Sequence, residues 1–186
     1  MMKVSAFVCG ILLFVGLGTG CGEAASPAAS EVQKSLPASP PAEKTLAFTP
    51  TKAQPKLSTV KLWLGKEELI AEIAVSLEEI STGMMFRTNI LESEAMLFIF
   101  ARPHQASFWM RNVDIPLSCA YIDSEGTILE IHDMKPHEET PIVASTDQVR
   151  YVLETKHGWF ERHQIKPGTV IRTDRGTLAQ RFNQKP

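Results

Sequence analysis

Cysteine is scarce in this chain: three residues in 186, at positions 9, 21 and 119. So few thiols exclude a scaffold held together by disulfides, which needs paired cysteines at much higher density. An excess of one charge is lacking as well, since 19 basic residues face 21 acidic ones for a formal net charge of −2. With no basic surplus to neutralise phosphates, the chain is not built to coat nucleic acid. Also missing are a nucleophile elbow, a His-Glu-x-x-His pair, a phosphate-binding loop and a Cys-x-x-Cys pair, so no motif requires a cofactor and no catalytic residue is assigned. Hydrophobic residues make up 44% of the chain, which excludes a wholly disordered polymer. The length suits one ordinary domain.

Long apolar runs are limited to one. After Lys3, the stretch from Val4 to Leu17 is almost entirely apolar and carries no charge. It is too short to cross a hydrocarbon layer of about 30 Å at about 1.5 Å per residue. The small residues Gly18-Thr19-Gly20 follow, then Cys21. This order predicts an export signal over residues 1–20. With the cysteine directly after the small residues, it resembles a bacterial lipoprotein signal, which implies lipid on Cys21, a stable membrane anchor and a domain on the periplasmic or outer side of the cell envelope. A simple secretory signal or an uncleaved anchor, with Cys21 incidental, is the competing reading. Gly16-Leu-Gly-Thr-Gly20 mimics a dinucleotide loop only by accident of lying in this leader.

From residue 21 to 58 the composition changes to Ala, Ser, Pro and Thr. Six of the twelve prolines fall here, at 27, 37, 40, 41, 50 and 55. Without a helical or strand period, and with few large apolar residues to bury, such a stretch cannot offset its ordering entropy and is expected to be a disordered tether.

Residues 59–175 read as the folded domain, and 176–186 as a loose tail. Val60 to Leu64 and Leu69 to Val75 alternate around Gly65-Lys66, a hairpin with Glu72 on the side opposite the apolar residues. Ser76 and Glu79 form a capping box that opens a short helix. Met96 to Phe100 is apolar on both faces, as in a central strand, and Arg102-Pro103 is expected to end it. Ala106–Met110, the pair 119–123 and 127–132, Val149–Glu154 and Thr169–Arg172 are further strand candidates. Residues 134–147 read as a loop, and Trp159 to His163 as one or two helical turns. The sum is an α+β domain, mainly antiparallel β, with a small curled or barrel-like sheet and two short helices.

Several runs occur in a fixed order: Gly83-Met-Met-Phe-Arg87, Met96-Leu-Phe-Ile-Phe100, Ser107-Phe-Trp-Met-Arg-Asn-Val-Asp-Ile-Pro-Leu117, Tyr121-Ile-Asp123, Tyr151-Val-Leu-Glu154 and Gly158-Trp-Phe160. In these runs the chain resembles the domain-of-unknown-function family 192. The resemblance implies a small β-rich domain, often exported, and no established reaction. Two departures stand out. Ser118 replaces the Asp that usually follows Pro-Leu, so no role for that carboxylate carries over. The loop before the Tyr-Val-Leu-Glu strand also lacks the cysteine pair of many exported members.

Three constellations offer chemistry. Arg87, Trp109, Arg111 and Asn112 combine an indole with guanidinium and amide groups. They are a candidate wall for a small anionic, sugar or peptide ligand. The packing reading makes Trp109 core, Arg87 a helix-end complement and Asn112 a turn residue. Methionines among the histidines suggest soft-metal handling, copper above all, with Met110, His132, Met134 and His137 as candidates. Their setting among Phe and Leu favours core filling. The Pro136–Pro141 stretch is a stiff acidic loop open to a partner. Lone Cys119, inside a strand, reads as a buried small hydrophobe. The expectation is an exported, lipid-anchored binding or accessory domain; metal handling and an unrecognised envelope enzyme are the alternatives.

Overall fold

A computed structural model describes residues 48–182. The leader, Cys21 and most of the tether, together with the last four residues, lie outside that range. Ten strands and three short helices follow in the order β1 (Thr59–Leu64), β2 (Glu67–Ala74), α1 (Leu77–Thr82), β3 (Glu94–His104), β4 (Ser107–Phe108), β5 (Leu117–Ile122), β6 (Ile128–Met134), β7 (Ile142–Val143), β8 (Val149–Lys156), α2 (Trp159–Arg162), β9 (Ile171–Thr173), β10 (Gly176–Thr177) and α3 (Leu178–Phe182). Eight strands form one sheet in the order β10-β9-β1-β2-β3-β8-β5-β6, and β4 pairs with β7 apart from it. The pairing is antiparallel throughout, except that β2 and β3 run parallel, joined by the crossover that contains α1. The fold is α+β with a mixed sheet.

The sheet is strongly curled but not closed. The start of its edge strand β6 is tied to the lead-in of β9, the strand next to the opposite edge: Thr127 bridges Val170, and Ile128 N–H donates to Thr169 O at 2.9 Å. The approach is close enough to require Gly126, whose φ is +92° and where a Cβ would sit 3.2 Å from Ile171 O.

Curling divides the apolar residues into two cores. Inside the curl lie Leu62, Leu64, Leu69, Ala71, Leu97, Ala120, Leu153 and Ile171, with Trp159, Phe160 and Leu178 closing the end. The outer face of β2, β3, β8 and β5 carries a second core of Met96, Phe98, Leu117, Cys119, Tyr121 and Val152. It is covered by Met84, Met85, Ile90, Met110 and Val113 from the segments after α1 and after β4. A sheet buried on both faces explains the continuous apolar runs of β3 and β5.

Local signals behave as their chemistry dictates. The β1–β2 hairpin has the expected register, and the α1 capping box is complete, with Ser76 Oγ accepting from Glu79 N–H and Glu79 accepting from Ser76 N–H. β3 continues past Arg102-Pro103 to His104, beyond the expected stop, because its last residues pair with β8 across a bulge. The expected strand at 106–110 shrinks to Ser107–Phe108, and its partner β7 lies inside the stretch read as loop. Among the described residues there are three helices rather than two, since residues 176–182, read as loose, form β10 and α3 and bury Leu178 completely. The chain is also held before residue 59. Gln54 Nε2 donates to the carbonyls of Glu79 at 3.2 Å and Gly83 at 2.9 Å, and Leu57 N–H donates to Glu72 at 2.7 Å.

Candidate functional site

Cross-strand register places five polar or sulfur-bearing side chains in one row across the outer face of the sheet. Glu72 on β2 pairs with Met96 on β3, Met96 with Glu154 on β8, Glu154 with Cys119 on β5, and Cys119 with His132 on β6. Register partners point to the same side, so this row forms the floor of the second core.

The two carboxylates in the row are treated differently. Burial of Glu72 works against its charge, but hydrogen bonds from Arg87 and from Leu57 N–H outweigh burial and hold it below the ordinary carboxylate range. Glu154 has no such help. It is only 4% exposed, its Oε2 has no hydrogen-bond partner, and burial alone pushes its carboxyl up to about 8. At neutral pH it is a protonated acid in an apolar setting. Burial also raises the neighbouring Cys119 thiol and Tyr121 hydroxyl, with the Glu154 charge contributing to each, so Cys119 is not a reactive thiolate.

Glu154 opens into a cavity of about 210 Å³. Its walls come from the end of α1 and the following turn, including Met84 and Met85, from Phe98, Phe100 and His104 of β3, and from Phe108 and Trp109 around β4. Phe108 meets Phe98 edge-on at 4.9 Å between centroids with the planes at 80°, and it stands at 84° to Phe100. Gly83 permits this wall, because a Cβ there would sit 3.3 Å from the Phe98 ring. Among the described lining residues the ionisable ones are Glu154 and His104.

The site residues expected from sequence are only partly brought together. Trp109, Arg111 and Asn112 line a second cavity of about 260 Å³ with Phe48, Thr49 and Pro50 beside the first, and Trp109, Met85 and Ser81 border both spaces. Trp109 is 43% exposed, not core, with the Arg111 guanidinium 5.7 Å from its ring centroid. Asn112 adopts φ +56° in a turn, and its carbonyl accepts from Phe86 N–H at 2.7 Å. Arg87 lies elsewhere and is not free. It grips Glu72 with two hydrogen bonds, at 2.6 and 2.8 Å, and so supplies no uncompensated charge to a ligand.

The metal candidates are each engaged. Met110 and Met134 are buried in the second core, His132 is 3.0 Å from Glu130, and His137 is 3.2 Å from Asp114. Among the described residues no group of three or more His, Cys, Asp or Glu could hold a metal ion. Ser118, which departs from the usual Asp, is fully buried. Its hydroxyl bonds Asp133 and accepts from Gly158 N–H at 2.8 Å, so a carboxylate is still present at that place, one strand across.

Sequence reading missed Glu154 as a site residue, although it closes one of the quoted runs. The available signal was a carboxylate on the same strand face as Val152, a face that also packs against apolar neighbours.

Comparison with known proteins agrees with this architecture. A protein of Sinorhizobium meliloti, described as a candidate transcription regulator, has a solved structure that is 31% identical, with a TM-score of 0.60, covering 65% of this chain and 98% of its own. A protein of unknown function from Novosphingobium aromaticivorans is also 31% identical, with a TM-score of 0.59, covering 68% of this chain and 94% of its own. No curated protein matches the chain. The profile of the family DUF192, described as an uncharacterised ACR, matches residues 60–173. That span runs from the second residue of β1 to the end of β9, leaving out β10, and contains the Glu154 cavity and every quoted run; the chain belongs to the DUF192 family.

Proposed function

We propose that this domain is a small-molecule binding module whose binding site is the cavity over β3 and β8, with Glu154 as its polar anchor. The observation that carries this reading is the Glu154 carboxyl, buried and with its Oε2 unpartnered, among the lining residues of a cavity walled by Phe98, Phe100, Phe108, Met84 and Met85 and edged by Ser81, Thr82 and Ser107. A buried polar group without a partner costs about 1–3 kcal/mol. A leucine or methionine there would pack at no such cost, so the carboxyl makes sense as a group that a ligand completes. The reading replaces the anionic ligand suggested by Arg87, whose charge Glu72 already neutralises. The export signal and Cys21 add an address: a lipid-anchored accessory domain of the cell envelope, binding rather than converting its ligand. A nucleic-acid role, which the description of one structural neighbour suggests, gains no support from a chain with 19 basic and 21 acidic residues.

Methionine methyl labelling of the full chain tests the site. Met84 and Met85 line the cavity, whereas Met134 does not. Small amphiphilic compounds are expected to shift the first two signals and leave the third. Ser107→Trp, at an exposed position on the rim, is expected to abolish the response. A broad set of such compounds that moves neither Met84 nor Met85 would refute the assignment.

A further inference from the structure

The character of the cavity restricts what it can hold. Its floor is an acid, and no lysine or arginine is among its described lining residues. An anionic group seated there would meet no positive charge to pair with. The walls include four aromatic rings and two thioethers beside Ser81, Thr82 and Ser107, and Phe108 stands nearly perpendicular to both Phe98 and Phe100. Aromatic faces carry negative charge and attract cations, most strongly when water is excluded, and thioethers are polarisable. We infer that the ligand is a small organic cation bearing an alkylated ammonium group, seated against Glu154 between Phe98, Phe100 and Phe108 with Trp109 at the mouth. The inference rests on the reading of this cavity as the binding site. An ammonium of this kind satisfies both features at once: its charge offsets that of the ionised Glu154 carboxylate beneath it, and its alkyl groups meet the rings.

Binding of a cation requires Glu154 to lose its proton. The titratable groups around it are Cys119 and Tyr121 on β5, His104 at the end of β3, Glu72 on β2, and Glu130 and His132 on β6. Cys119 and Tyr121 are held protonated by burial, and Glu72 is held ionised by Arg87. Because Glu154 titrates near 8, affinity for a permanently charged cation rises by about tenfold per pH unit below that value and levels off above it.

The test compares choline with its neutral carbon analogue, dimethylbutanol, on the full chain, read by the Met84 and Met85 methyl signals and by calorimetry. Choline is expected to bind at least about tenfold more tightly than the analogue above the Glu154 titration, with the pH profile just described. Glu154→Gln is expected to erase that preference. Equal binding of the two compounds, or a choline affinity indifferent to pH, overturns the cation inference while leaving the cavity as a binding site, and both readouts use the unmodified protein. If neither these compounds nor other amphiphiles move the cavity methyls, both readings fall.

Discussion

Replacing Glu154 by glutamine keeps the side chain's size and removes its ability to ionise, and the consequence for stability can be worked out from the structure. In the unfolded chain the carboxyl titrates near its ordinary value of 4.5, whereas in the folded protein it titrates at about 8. Below 4.5 both states are protonated and burial of the acid carries no ionisation penalty. Between 4.5 and about 8 the unfolded chain has released a proton that the native state retains, so stability falls as pH rises. Each such unit costs about 1.4 kcal/mol, which sets an upper bound of about 5 kcal/mol across the window. Glu72 acts in the opposite direction. Its native titration lies below 4.5, so its contribution is present above that value and is lost as the solution becomes more acid. The unmodified protein is therefore expected to be most stable in mildly acid solution. Glu154→Gln should match it there and exceed it increasingly toward pH 8. Urea unfolding across this range measures the difference directly. Parallel pH profiles for the two proteins would show that Glu154 is solvated or paired, and would refute both its raised titration and its role as an unsatisfied anchor.

The Arg87–Glu72 pair is expected to behave as structure. Arg87→Ala leaves Glu72 buried without its partner and should cost about 3 kcal/mol in urea unfolding, while removing both charges with leucines should restore most of it; a lone Arg87→Ala with unchanged stability would return that residue to the list of ligand contacts. Cys21→Ser is expected to move the protein from the membrane to the soluble fraction, and unchanged membrane association with an uncleaved signal would remove the lipid anchor. For copper, Met110→Leu with Met134→Leu should leave Cu(I) uptake no different from that of the unmodified protein, since both side chains fill the core. A stoichiometric uptake lost in the double variant would establish the metal reading instead.

Much of the fold is written in local pattern. The alternation on either side of Gly65, the Ser76–Glu79 capping box and the two-faced apolar run of β3 each specify an element through contacts a few residues apart. What sequence could not supply is which polar residues face inward. Glu72 alternates with the inner core residues and so reads as solvent-facing, yet a second core covers that side of β2 and buries it. Its partner Arg87 is fifteen residues away, inside a parallel crossover that periodicity does not reveal. Glu154 is hidden for the same reason: its neighbours Met96 and Cys119 come from other strands. Trp109 does line the cavity, but from a different element than expected. The strand expected to carry it ends at Phe108, and a turn sets the indole at the rim rather than in a wall of β-structure.

The two hydrogen bonds from Gln54 also give the domain a mechanical order. Any pull on the N-terminal segment reaches Gln54 before it reaches β1, and Gln54 is fastened to the carbonyls of Glu79 and Gly83 at the far end of α1. That end of the helix is also a wall of the cavity. Two hydrogen bonds loaded there yield far more readily than the six-residue register that holds β1 to β2. Tension on that segment would therefore loosen the wall beside Met84 and Met85 while the sheet stayed intact, so that a domain under load would open its cavity before it lost its fold.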